Sequence, residues 1–251
     1  MNDHSSSAVY AGQMETERLA GRLHDLVTAS ALIGRGAPVK ATLAEWAPYL
    51  LPQIVADRAA GEFERWAHST VLDENTETPV VSRELFETLH SEAGLPSSWP
   101  VGNAGLLHVY GYLLSNVPTP YGYKRDRWID GRMAAVLGMN PTYFLPWAAE
   151  PGTLLKRVTD AVFPILTEHH PRPITVARFD DVVDQESGRF FRTAIVNDRT
   201  NEQSALIYGV GHGAALKVVT VFPVAEPTTV WLEALRSEPP RPRYNVSPGA
   251  E

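Results

Sequence analysis

Apolar residues recur at helical spacing through the first two-thirds of the chain and give way to short β-branched runs in the last third. From residue 14 to 33, Leu19, Leu23, Leu26, Val27 and Ala31 follow the three-and-four spacing of an amphipathic helix, which Gly34-Arg35-Gly36 ends. Thr42 with Glu45 three positions later has the spacing of a capping box, so it predicts the start of a second helix that Pro48 and Pro52 limit. A further helical stretch is expected over 53–68. Ser82 just before Glu84, and Asn103 ahead of the stretch 104–114, predict two more helix starts. A helix over 151–169 is expected to pack across a sheet.

Beyond Pro171 the period changes. Residues 174–183, 189–196, 204–210 and 216–224 are rich in β-branched and aromatic side chains, and the segments between them are turn-forming. Four strands joined by short turns predict sequential antiparallel pairing, because parallel crossovers need longer connections. In the last strand, alternation places Leu216, Val218, Thr220 and Phe222 on one face and Lys217, Val219 and Val221 on the other. Both faces are largely apolar, so helices should cover at least one. Gly209, Gly211 and Gly213 are expected to supply positive backbone angles in the final hairpin, with His212 exposed at its tip.

The fold expected is α+β, a mainly helical N-terminal two-thirds followed by a C-terminal four-stranded antiparallel meander sheet. Its divisions are a mobile tail at 1–12, a mainly helical portion at 13–170, a sheet portion at 171–237 and a proline-rich tail at 238–251. No long linker separates helices from sheet, since Pro171-Arg172-Pro173 is only a stiff joint, and a single α+β domain fits equally well.

Composition removes several chemistries. The 251 residues include no cysteine, which excludes disulfides, thiolate nucleophiles, iron–sulfur clusters and cysteine-ligated zinc. The first residues lack the basic and apolar regions of a leader, and no window reaches the roughly 18 apolar residues of a membrane span, so a cytoplasmic protein without membrane contact is expected. Formal net charge is −7, unevenly spread: residues 1–100 carry 7 Lys+Arg against 14 Asp+Glu, whereas residues 101–165 carry 6 against 4. The acidic total disfavours tRNA or other RNA as a partner, because polyanion affinity rests on neutralising phosphates. The electropositive middle still suits a local anion site.

That middle contains the densest polar and aromatic stretch, HVYGYLLSNVPTPYGYKRDRWID over 108–130. His108 and Tyr112, four apart on a helix, share a face, while Tyr110 points elsewhere. Lys124, Arg125, Arg127 and Trp128 are the candidate substrate-binding residues, since guanidinium groups pair with carboxylate or phosphate and rings stack. His108, Tyr112, Tyr123 and Asp130 are the candidate catalytic residues, with His108 or Tyr123 moving a proton and Asp130 orienting a basic partner. An alternative set on the sheet is His169, Arg178, Arg192 and Thr220, near His170, His212 and Lys217; imidazole and guanidinium suffice there for metal-free phosphodiester or acyl transfer. Both sets have plainer roles to weigh against these, aromatic anchoring of a proline-rich loop in one case and helix capping or a solvated strand face in the other.

Other motifs are excluded on context. The glycines of 209–213 lie between two strands, so no helix N-terminus waits to hold phosphate. The acidic group Asp180, Asp181, Asp184 and Glu186 lacks the order of a calcium loop, and no Gly-x-Ser-x-Gly elbow occurs. The sequence therefore leads to a metal-independent, cofactor-free enzyme acting on a small anionic or amino-acid-like substrate by acid–base or group-transfer chemistry. Two alternatives stand beside it: an RNA-directed enzyme, either a metal-free ribonuclease or an aminoacyl-tRNA-dependent transferase, and a non-catalytic interaction module docking through Tyr and Trp anchors.

Overall fold

A computed structural model describes residues 3–73, 75–119, 122–167, 175–184, 189–197, 204–212 and 215–224, with single positions at 229, 233 and 237. Side chains are described from residue 17 onward, at Arg178 alone within 175–197, and not at His212. The 171–173 joint and the 238–251 tail lie outside these residues.

The fold is mixed helix and sheet. The first helix, α1, runs over Asp3–Gly34, so residues 3–12, expected as a tail, are helical. No proline interrupts that polar stretch, and the helical periodicity that begins at residue 14 is simply continued backwards. The second helix, α2, spans Val39–Trp46, and its N-cap position is Pro38 rather than Thr42. Thr42 is buried inside the helix, its N–H donating to the Pro38 carbonyl, so the capping-box spacing there was coincidental. Helix α3, Leu50–Ala60, tolerates Pro52 because its missing N–H falls in the first turn. Gly61, at φ 69°, ends α3 and divides the expected 53–68 helix: a 3-10 turn, Glu62–Arg65, and strand β1, His68–Thr70, follow.

Helix α4, Arg83–Ala93, begins where Ser82 accepts from the Leu85 N–H. Strand β2, Val101–Asn103, pairs antiparallel with β1 and leads into the helical segment 104–114. Asn103 Oδ1 accepts from the Leu106 N–H, as an N-terminal cap should. Within the segment, Leu106–Tyr110 form a π turn and Gly111–Leu114 a 3-10 turn. A small hairpin of β3, Pro118–Thr119, and β4, Gly122–Tyr123, is followed by short helices α5, Asp126–Ile129, and α6, Arg132–Val136. Helix α7, Leu154–Leu166, starts at Thr153, which accepts from the Lys156 N–H.

Strands β5 (Thr175–Asp184), β6 (Arg189–Asn197), β7 (Ser204–His212) and β8 (Ala215–Val224) pair antiparallel in chain order. The β7–β8 ladder shifts register where Tyr208 opposes Thr220 and Gly209 opposes Val218, leaving Val219 as the extra residue of a bulge. One inserted residue inverts the alternation beyond it. Leu216 and Val218 therefore share a face with Val221 and Ile207, whereas Thr220 and Phe222 lie with Tyr208 on the opposite face, which corrects the four-residue face expected from simple alternation. Contrary to expectation, Gly209 and Gly211 are ordinary strand residues without positive φ, while Gly213 lies outside the described residues. Gly209 serves close packing instead, since a Cβ there would meet Leu166 Cδ1 at 3.0 Å, and this is where α7 crosses the sheet.

Edge strand β8 ties the sheet to the helices. The Ala67 N–H donates to the Val218 carbonyl at 2.9 Å and the Ala104 N–H to the Ala67 carbonyl at 2.7 Å. Trp66 fills the junction, its indole N–H donating to Thr159 Oγ1 at 2.9 Å. One apolar cluster accordingly runs from Leu26 through Leu107 and Val158 to Ile207, Val218 and Val221.

Two polar groups lock the helices from within. Arg157, 2% exposed, donates to the Thr153, Tyr143 and Leu145 carbonyls and so fastens the 143–145 loop to α7. Asp57, 1% exposed, accepts from Tyr110 Oη at 2.5 Å and from Thr153 Oγ1, joining α3, the 104–114 segment and α7. Burial pushes its carboxyl up to about 6 despite those two donors. A carboxyl raised from 3.8 binds a proton more readily folded than unfolded, so its contribution is full below pH 3.8 and is lost as pH rises through 6. Asp57→Asn, which keeps an acceptor and loses the charge, is expected to gain about 2–3 kcal/mol on the wild type between pH 4 and pH 7. Parallel denaturant titrations at the two pH values measure this. Gly105→Ala is expected to cost about 1–3 kcal/mol in the same assay, because its Cβ would sit 2.6 Å from Trp66 Cγ in a ring that cannot retreat.

Candidate functional site

Four separate stretches of chain meet in one cluster around His108 and Tyr112. His108 sits in the π turn of the 104–114 segment and Ser69 in the middle of β1, and both are buried. Their side chains approach to 2.9 Å between Oγ and Nε2. The hydroxyl and ring share one hydrogen bond, so either can hold the proton according to the tautomer. One helical turn on, the Tyr112 ring stacks on His108 with centroids 4.7 Å apart and planes 20° apart, which is the shared face that the i, i+4 spacing implied.

Two cations come to the same tyrosine. Lys124 Nζ lies 5.0 Å, and the Arg127 guanidinium 5.4 Å, from the Tyr112 ring centroid, both within cation–π range. Lys124 also pairs with Asp73 Oδ2 at 2.7 Å. Asp73 is buried in the loop after β1, and its other oxygen accepts from the Asn75 and Thr76 N–H groups. Burial alone would raise this carboxyl, but the Lys124 hydrogen bond and charge, with the two backbone donors, hold it below its ordinary range. Arg127 reaches across to the sheet, donating to Thr220 Oγ1 at 3.4 Å with its guanidinium 5.8 Å from the Phe222 ring centroid. The bulge at Val219 is what turns Thr220 and Phe222 towards it.

The structure thus joins His108, Tyr112, Lys124, Arg127 and Thr220, the last drawn from the alternative sheet set, and adds Ser69 and Asp73. It separates others. Trp128 is 1% exposed, and its indole N–H donates to the His108 carbonyl at 2.8 Å, so it supports the π turn and presents no ring to a ligand. Tyr123 and Arg125 associate with each other, guanidinium to ring centroid 4.4 Å, and Arg125 donates to Asn116. Asp130 accepts from the backbone and side chain of Arg132 at the start of α6. Arg178 Nε donates to the Ile165 carbonyl at 2.6 Å, which binds β5 to α7. His169, His170 and the side chains of Arg192 and His212 lie outside the described residues.

Chemically, a shielded hydroxyl–imidazole pair can relay a proton, and neighbouring ammonium and guanidinium groups can stabilise an anion. Among the described residues no group of three or more His, Cys, Asp or Glu could hold a metal, and no helix is long and apolar enough to cross a membrane. No sequence signal marked Ser69, a lone serine between His68 and Thr70, or Asp73, one of several acids in a polar loop. Comparison of the chain with protein-family models, with curated proteins and with solved structures finds no match.

Lys124→Met would leave the Asp73 carboxylate buried without its ammonium partner, and is expected to cost about 2–4 kcal/mol. Adding Asp73→Asn should recover at least 1 kcal/mol of that loss, as coupled neighbours do. A double-mutant cycle by chemical denaturation measures both.

Proposed function

We propose that the protein is a cytoplasmic, metal-independent enzyme that acts on a small anionic or amino-acid-like substrate by acid–base or group-transfer chemistry at the Ser69–His108 pair. The observation that carries this reading is the 2.9 Å hydroxyl–imidazole contact, buried at the joint of helices and sheet with Lys124 and Arg127 gathered over the ring stacked on it. A purely structural core gains little from such a set. Apolar side chains of the same volume avoid the desolvation of two cations, a carboxylate and an imidazole, and are often at least as stable.

In this reading His108 moves the proton, with Ser69 setting its tautomer and Arg127 holding the anionic group of the substrate. Lys124, fixed by Asp73, adds positive potential, and Tyr112 spaces the cations from the imidazole. Low exposure suits the chemistry, since charge interactions strengthen where water is excluded.

The test combines ligand-induced stabilisation with turnover. Amino acids, short carboxylates and phosphomonoesters are screened by thermal shift, where a ligand at 100 times its Kd adds about 2.7 kcal/mol of stability. A stabilising anion is expected, and Arg127→Met should weaken it at least tenfold. His108→Gln should keep binding within a few-fold while reducing turnover of that ligand by at least about 100-fold, the scale of a lost general acid or base. Unchanged binding in Arg127→Met, or unchanged turnover in His108→Gln, would remove the assignment.

A further inference from the structure

An open cavity of about 290 Å3 lies between the end of α1, the 79–83 segment leading into α4, and the 114–117 connector that follows the central helical segment. Its walls are apolar, built from Ile33, Val81, Leu85, Trp99, Leu114 and Val117. Trp99 stands edge to face against Phe86 with centroids 5.2 Å apart, which holds its ring in place. With about 30 Å3 of liquid volume per water-sized group, the cavity has room for about ten such groups.

The polar groups at the wall differ in what they have left to offer. Ser30 Oγ donates to the Leu114 carbonyl, and Arg83 is neutralised by Glu87 one turn on. Asn116, at the exposed mouth, is different. Its Oδ1 accepts from Arg125 Nη1 at 3.2 Å, and that bond fixes which way the carboxamide faces. The amide nitrogen is thereby set against Gly34, where a Cβ would meet Nδ2 at 3.5 Å, and both residues line the cavity. Among the described residues Asn116 Nδ2 has no hydrogen-bond partner. Arg125 is not part of the wall; paired with Asp126, it only orients the amide. Ser82 Oγ, also at the wall, accepts from the Leu85 N–H and keeps its own proton to donate. The polar groups with bonds still to make are therefore uncharged donors. Beside them stands the C-terminal turn of α1, which carries partial negative charge and whose Leu32 and Ile33 carbonyls are taken by the N–H groups of 35–37.

We infer that this cavity is a binding site for a small neutral carbonyl compound, a ketone or ester of about ten non-hydrogen atoms, with its hydrocarbon part on Trp99, Val81 and Val117 and its carbonyl oxygen accepting from the Asn116 amide. Apolar walls give affinity in proportion to the surface they cover, and a carbonyl suits the mouth because it accepts without donating. An ammonium finds no acceptor at the amide nitrogen. A carboxylate would give up its hydration for uncharged donors next to the negative end of a helix. The inference is independent of catalysis at His108, because none of the residues it uses belongs to that cluster.

Isothermal titration of the full chain with acetophenone, isopropylbenzene, 1-phenylethylammonium and benzoate, molecules matched in their number of non-hydrogen atoms, tests it. Acetophenone should bind, at least tenfold tighter than either ion. Asn116→Asp keeps an acceptor for Arg125 and removes the amide donor. It should weaken acetophenone at least fivefold, the scale of one hydrogen bond, and change isopropylbenzene less than twofold. Gly34→Leu, at an exposed helical position without positive φ, and separately Val117→Trp at the half-buried wall, should fill the space and abolish binding of ketone and hydrocarbon alike. A thermal melt of each variant confirms that it folds, and either filling variant stands in for the other. Absence of acetophenone binding to the wild type, binding that survives a folded filling variant, benzoate as tight as the ketone, or an Asn116→Asp effect equal for ketone and hydrocarbon would each overturn the inference. Acetophenone binding lost in Arg127→Met but kept in Gly34→Leu would place the ligand at the His108 cluster and overturn it too.

Discussion

The segment 104–114 is buried on every face, and the rest of the structure is arranged around the demands of that burial. A helix surrounded by core must bring its own polar groups or find partners for them, because an unsatisfied buried donor or acceptor costs about 1–3 kcal/mol. This one carries His108, Tyr110 and Tyr112 in addition to its exposed-end backbone groups. Four of these needs are met by different elements: Asn103 for the Leu106 N–H, Ser69 of β1 for the imidazole Nε2, Asp57 of α3 for the Tyr110 hydroxyl, and Trp128 of α5 for the His108 carbonyl. Satisfying one helix therefore fixes the positions of β1, α3 and α5.

The same geometry couples packing to the candidate site. Gly105 lets Trp66 press against the helix, Trp66 is pinned by Thr159 of α7, and Ala67 beside it hydrogen bonds to β8. That contact sets the height of β8 against the helices. The bulge at Val219 then turns Thr220 and Phe222 to the side where Arg127 reaches them. A strand without the bulge would point Thr220 into the face occupied by Val218, and Arg127 would lose its hydroxyl partner. The electropositive middle of the chain thus meets the sheet through one extra residue in a ladder.

Polar burial divides into two kinds in this molecule. Arg157 and His90 are enclosed by backbone partners, His90 Nδ1 donating to the Phe86 carbonyl while its Nε2 accepts from the Asn103 N–H, and their surroundings hold neighbouring segments in place. Burial lowers both groups from their ordinary range, as it does for any cation moved out of water. The Ser69–His108–Lys124–Arg127 cluster instead gathers side chains on side chains from distant parts of the sequence. Arg157 and His90 fasten segments through backbone groups and Asp57 does so through the Tyr110 and Thr153 hydroxyls, whereas the cluster joins four distant stretches through side chains alone.

By itself the sequence determined the mixture of helix and sheet, the capping roles of Ser82 and Asn103, and the stacking of His108 on Tyr112, because each follows from spacing within a few residues. Local composition also brought Lys124 and Arg127 forward as ligand candidates, though it ranked Arg125, Trp128, Tyr123 and Asp130 with them. Only the tertiary structure committed the Trp128 indole to a carbonyl 20 residues away, and Thr220 to Arg127 rather than to the histidines near the first strand of the sheet. Ser69 and Asp73 had no local signature, since their significance lies in partners 39 and 51 residues away. Helical period and end-capping are short-range energetics that a sequence displays directly. Which hydroxyl meets which imidazole, and on which side of a bulge a threonine emerges, depends on how the whole core closes.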